Sequence, residues 1–193
     1  MITSKKDFQE YLRRDQYALG VKGVKDYFFH DIWRFQRTLR RAEYWNNCHT
    51  WKGSRAVAYL YRYILRGRGR KLGFTIPINV FGPGLSIAHA GTIVINSHCR
   101  IGANCRLHVC VNIGASVGNS LSAPIIGDDC YIAPGVKIYG SVNIGSNTGI
   151  GANAVVNKSF PEGNQTIAGM PARQISNRGP LEFRSFSIHK SKN

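Results

Sequence analysis

The chain has 193 residues and a formal charge of +16, long enough to bury a core as one domain or as one domain with a small helical annex. The charge is uneven, with 17 Lys and Arg against 6 Asp and Glu up to Gly73 and 9 against 4 beyond it, which suits an anionic partner: nucleic acid, a phosphorylated ligand or an anionic membrane surface. No run of 18 apolar residues occurs, and Met1-Ile2-Thr3-Ser4-Lys5-Lys6-Asp7 lacks the apolar core of a signal peptide, so a cytoplasmic protein is expected.

Ser4 is placed to N-cap a helix from about Lys5 to Leu19, with Phe8, Tyr11 and Leu12 on one face, until Gly20 and Gly23 break it. A second helix is expected from about Val24 to Trp45, with Phe28, Ile32, Phe35 and Leu39 on its apolar face and Arg34, Arg37, Arg40 and Arg41 on a basic one. A third, from about Ser54 to Arg66, carries Val57, Leu60, Tyr61, Ile64 and Leu65 and ends in Arg66-Gly67-Arg68-Gly69-Arg70-Lys71. These helices would cap the open end of the domain that follows or make oligomer contacts. The sharper reading is that their basic, aromatic-rich face touches an anionic membrane, at its inner face, or a lipid-linked substrate. The Arg/Gly run has no RNP, zinc-finger or homeodomain-like signature beside it, which disfavours nucleic acid.

From Phe81 to Val156 an apolar residue recurs every six positions. Phe81, Ile87 and Ile93 lead, after a two-residue shift, to Ile95, Ile101, Leu107 and Ile113; a second shift leads to Ile126, Ile132, Ile138, Ile144, Ile150 and Val156. A glycine often follows the beat, as at Gly102, Gly127 and Gly145. The fourth residue after it is small or β-branched: Cys99, Cys105, Val111, Val117, Cys130, Val136, Val142, Thr148, Ala154. This period is the mark of a parallel β-helix, one strand and one corner per hexad and three hexads per coil, giving about four coils. Asn104, Asp129, Gly135, Asn147 and Asn153, three after the beat, suit corners with positive φ. Cys99, Cys105 and Cys130 then read as core residues and not as a disulfide framework, and without a CxxC pair a structural zinc site has no support.

The stretch Ala115 to Pro124 is out of phase, small and polar, and reads as a loop thrown out of one coil, where binding groups tend to lie. The expected organisation is a basic helical segment over 1–73, the β-helix over 74–175 and a basic, partly disordered tail over 176–193.

His89, two residues past the beat, falls at a corner and precedes the small residues Ala90-Gly91-Thr92. Gly84-Leu85-Ser86-Ile87-Ala88-His89-Ala90-Gly91-Thr92-Ile93-Val94 resembles the active-site segment of serine O-acetyltransferases. Val111-Asn112-Ile113-Gly114 is similar to that family's strand before its excursion loop, and Ile167-Ala168-Gly169-Met170-Pro171-Ala172-Arg173 to the A-G-x-P-A-[KR] closing signature of hexapeptide-repeat acyltransferases. The resemblance implies a mainly β fold, a left-handed parallel β-helix of hexapeptide repeats with an N-terminal α-helical segment. It also implies a homotrimer, with acetyl-CoA as acyl donor in the groove between adjacent subunits and no metal, and His89 as the general base that deprotonates an acceptor hydroxyl.

Two departures bear on the acceptor. The family's orienting aspartate falls at Thr75, and its basic pair at the end of the excursion loop falls at Ser122 and Ala123. A saccharide hydroxyl, as in a polysaccharide precursor, therefore fits better than serine, with a serine O-acetyltransferase of cysteine biosynthesis as the alternative. Gly114, Ala133, Gly151, Ala152, Ala168 and Gly169 are small enough to lie along a pantetheine arm, and Lys137, Lys158 and Arg173 could meet the phosphates of CoA. Two other classes stay open: a non-catalytic β-helix for assembly, and a zinc enzyme needing three converging histidines. His89, His98 and His108 stand two, three and one after the beat, so they are not expected to stack on one edge.

Overall fold

Every residue on the beat from Phe81 to Val156 is buried, at 4% exposure or less, because the chain winds into stacked triangular coils whose three faces are parallel ladders. The computed structural model describes residues 1–49, 51 and 53–182; most of the tail expected to be disordered lies outside the described residues. One face stacks β1 (Phe74–Thr75), β3 (Ile93–Ile95), β6 (Val111–Gly114), β9 (Lys137–Tyr139) and β12 (Val155–Val156). The second stacks β4 (Arg100–Ile101), β7 (Ile125–Ile126) and β10 (Asn143–Ile144). The third stacks β2 (Ser86–Ile87), β5 (Arg106–Leu107), β8 (Tyr131–Ile132), β11 (Thr148–Ile150) and β13 (Gln165–Ala168), with β14 (Arg173–Ser176) added antiparallel.

The register pairs beat with beat: Ile101 with Ile126, Leu107 with Ile132, Ile113 with Ile138. The first phase shift is absorbed in β3, where Ile93 and Ile95 both point inward, and the second in the excursion between β6 and β7. There the reading of the inward positions fails once: Val117 is fully exposed, since the chain has left the coil at that point. The stack also runs past the beat. Phe74 pairs with Ile93, Phe160 bridges to Ile144 and Ile167 pairs with Ile150, and the first face holds five strands, more than the beat implies.

Corner chemistry follows the sequence, with positive φ at Asn104 (55°), Asp129 (58°), Gly135 (79°), Asn147 (52°) and Asn153 (57°). The glycine after the beat has another cause. A Cβ on Gly102 would meet the Gly127 carbonyl carbon at 2.7 Å, so consecutive coils approach too closely there for any side chain.

Four helices close the first coil. α1 (Lys5–Leu19) begins where Ser4 Oγ accepts from Asp7 N and ends at the left-handed Gly20. The second expected helix is two, α2 (Gly23–Phe29) and α3 (Asp31–Cys48), because His30 takes an extended backbone and its Nδ1 accepts from Trp33 N. The last, α4 (Ser54–Leu72), continues through Gly67 and Gly69 instead of stopping at Arg66. Gly69 serves packing, since a Cβ there would meet the Phe74 carbonyl at 2.6 Å.

The arginines of α3 do not share one solvated face. Arg40 is fully buried, its Nε donating to Asp15 Oδ2 (2.8 Å), Nη1 to Glu43 Oε2 (2.9 Å) and to the Phe81 carbonyl (2.9 Å), and Nη2 to the Gly82 carbonyl (2.7 Å). Asp15 Oδ1 in turn accepts from Gly84 N (2.8 Å) and Leu85 N (2.9 Å), Glu43 Oε1 accepts from Asn79 N (2.8 Å), and Gln36 Nε2 donates to the Leu85 carbonyl (2.8 Å). The first coil has no coil above it, so side chains from α1 and α3 take the place of a strand and satisfy its exposed backbone groups. Burial disfavours the Arg40 charge, but Asp15 and Glu43 beside it more than compensate and hold it protonated. Ile32, Phe35, Leu39 and Ala42 of α3 and Leu65 of α4 join the core of the tube.

Candidate active site

The corner between the third and first faces repeats in each coil, and its turns stack. Ala88 N donates to the Leu107 carbonyl, His108 N to Ile132, Gly135 N to Val109, Asn153 N to Pro134, Gly151 N to Ile167 and Val155 N to Gly169. One column therefore holds His89, then His108, Ala133, Gly151 and Ala152, then Ala168 and Gly169. At its upper end Gly91 N and Ile93 N donate to the carbonyls of Leu72 and Gly73, which ties the turn carrying His89 to the end of α4.

The imidazole of His89 is exposed, and among the described residues no side chain hydrogen-bonds to it. Its neighbour is His108, with ring centroids 6.2 Å apart, and the His108 ring lies 5.1 Å from that of Tyr131. This corrects the expectation that His89 and His108 belong to unrelated positions. Residues one and two after the beat both lie on the turn, and the turns converge where a strict count separates them. Burial, then Arg106, then His89 push the His108 imidazole below its ordinary pKa, so it favours the neutral form, and its Nε2 is buried without a hydrogen-bond partner. The sequence signal was available: in the coil after His89, one position on the same corner is again a histidine.

His98 lies elsewhere, exposed on the turn between β3 and β4, where its N–H donates to Asn96 Oδ1. Among the described residues no group of three His, Cys, Asp or Glu is placed to hold a metal ion.

The other expected site residues divide. Gly151, Ala152, Ala168 and Gly169 line the lower turns of the column headed by His89, and Ala133 sits between but is turned into the core. Gly114 does not: it ends β6 against Tyr139, whose ring a Cβ would meet at 2.8 Å, so that ring accounts for its size. Lys137 Nζ donates to the carbonyls of Cys110 and Gly135 on the same corner, which engages its charge locally. Arg173 is exposed on β14, and exposed Lys158 sits 5.4 Å over the Phe160 ring. Thr75 is exposed on the first face, which this corner borders, in register with Val94, and among the described residues no hydrogen bond joins it to His89.

The excursion closes on itself, with Ser116 N donating to the Ser122 carbonyl (3.0 Å) and the two hydroxyls 3.1 Å apart. Ala123 is buried in the core and offers no surface to a ligand. This loop leaves the corner between the first and second faces, whereas His89 occupies the corner between the third and first. One chain does not bring them together.

The family model described as bacterial transferase hexapeptide (six repeats) matches residues 123–158. In sequence the chain is 36% identical over 106 residues to the serine acetyltransferase of Staphylococcus xylosus, a match covering 54% of this chain and 49% of that protein, so the chain spans about half the length of this relative. In fold it is similar to the crystal structure of serine acetyltransferase from Brucella abortus strain S19, with TM-score 0.74 and 24% identity over 90% of this chain and 71% of that one. The same enzyme in complex with coenzyme A gives 0.72 and 25% over 91% and 70%, and that of Neisseria gonorrhoeae gives 0.70 and 22% over 96% and 73%. The chain is thus a left-handed parallel β-helix of hexapeptide repeats, closed by N-terminal helices and serine acetyltransferase-like in sequence and fold.

Proposed function

We propose that the protein is an O-acetyltransferase that moves the acetyl group of acetyl-CoA to an acceptor hydroxyl. The observation that carries this reading is His89, exposed at the head of a column whose lower turns, Gly151-Ala152 and Ala168-Gly169, present backbone and no bulky side chain to a pantetheine arm. The acceptor O–H proton passes to a nitrogen of His89, the oxygen bonds to the thioester carbonyl carbon, and the C–S bond breaks as the thiolate takes that proton. Arg173 and Lys158 remain candidates for the CoA phosphates, whereas Lys137 would have to leave two carbonyls to serve them.

The acceptor best supported by the relatives is L-serine, since those matched in sequence and in fold are serine acetyltransferases. The departures at Thr75, Ser122 and Ala123 favour a saccharide hydroxyl as the second reading, because residues 115–124 contain no charged side chain for an amino-acid carboxylate. The two are separated by following thiol release from acetyl-CoA with L-serine beside a panel of sugars and nucleotide sugars. Serine turnover is expected with kcat/KM at or above ~10⁴ M⁻¹s⁻¹; release only with a saccharide would replace serine by the second reading.

The assembly we propose is a homotrimer. A site that uses both His89 and the excursion must be formed between copies, because the two leave different corners of one tube. On α4, exposed Tyr59, Leu60 and Tyr63 stand among exposed Arg55, Arg62 and Arg66, which suits peripheral contact with an anionic bilayer. Among the described residues no helix is long and apolar enough to cross a membrane.

A further inference from the structure

We infer that His108 is the positioning residue for His89: its free ring nitrogen takes up the N–H on one side of the His89 imidazole and so aims the lone pair on the other side at the acceptor hydroxyl. A general base needs its tautomer fixed, yet the position of the family's orienting carboxylate holds Thr75, which carries no carboxylate and pairs in register with Val94. Beside His89 stands another imidazole, 6.2 Å between centroids, with Nε2 buried and unpaired. A buried polar nitrogen without a partner is costly and is expected to find one in the working state. One bridging water, or a side-chain shift that brings the His89 ring closer, would join the two rings.

The surroundings of His108 favour this role. Among the described residues, Arg106 on β5, His89 on the turn above and Tyr131 on β8 are the titratable groups that border it, and none is a carboxylate that would stabilise an imidazolium. Burial and Arg106 keep its ring neutral, so a lone pair is available. When His89 takes the acceptor proton, the new positive charge is held by an accepting nitrogen and not opposed by a second imidazolium.

The inference rests on His89 as the base, and its test separates the two. In ¹⁵N-histidine spectra of the full chain, wild type should show one His89 tautomer, with mixed tautomers in His108→Phe, which keeps a ring against Tyr131 and removes the nitrogens. This readout needs no turnover and stands whether or not an acceptor is found. In the acetyl-CoA assay His108→Phe should lower kcat about tenfold or more with KM for acetyl-CoA and acceptor unchanged, and His108→Gln, which keeps an acceptor atom, should recover part of the loss. Tyr131→Phe should change neither readout. An unchanged His89 tautomer in both His108 variants, a loss confined to acceptor KM, or the same effect from Tyr131→Phe would overturn the assignment.

Discussion

Asp15→Ala is expected to lower stability by about 3–5 kcal/mol, the cost of leaving a buried charge without its partner. Arg40 would keep Glu43 and two carbonyls but lose its bidentate partner, and Gly84 N and Leu85 N would lose the oxygen that both share. The damage falls on the strand leading into His89, since β2 follows directly. Urea denaturation of the variant should show a midpoint far below wild type, and Asp15→Asn, which keeps an accepting oxygen, should fall between them. A loss under ~1 kcal/mol, the range of a surface ion pair, would mean that the helices do not hold the first coil through this network.

His89→Ala is expected to reduce acetyl transfer by about 10²–10⁴-fold, the contribution of a positioned general base, with CoA affinity nearly unchanged in calorimetry. In the proposed reaction this exposed side chain at the head of the column acts on the acceptor proton, while the proposed cofactor track lies along the turns below. Full activity in the variant, or a loss of CoA affinity matching the loss of rate, would remove His89 from the reaction.

The tube was legible because a six-residue beat has one compact solution, and the corner asparagines agreed with it independently. What the beat could not carry was the meeting of side chains across turns. Distance from the inward residue separates His89 from His108, whereas the turn between faces folds neighbouring positions together. Lys137 read as a free cation because the carbonyls of Cys110 and Gly135 that engage it belong to turns, not to the pattern. In the helices, periodicity ran through His30 since histidine is an uncommon N-cap, and Gly67 and Gly69 read as breakers although Gly69 admits the Phe74 carbonyl. Arg40 looked like one of several surface arginines; its burial depends on Asp15 and on the first coil, neither of which lies near it in sequence.

The most direct measurement of the central claim is a crystal structure of the protein with CoA. The thiol is expected beside the His89 imidazole, the pantetheine arm along Gly151-Ala152 and Ala168-Gly169, and the excursion of a second copy closing the same site. CoA bound away from this corner, or a complete site formed without His89, would contradict it.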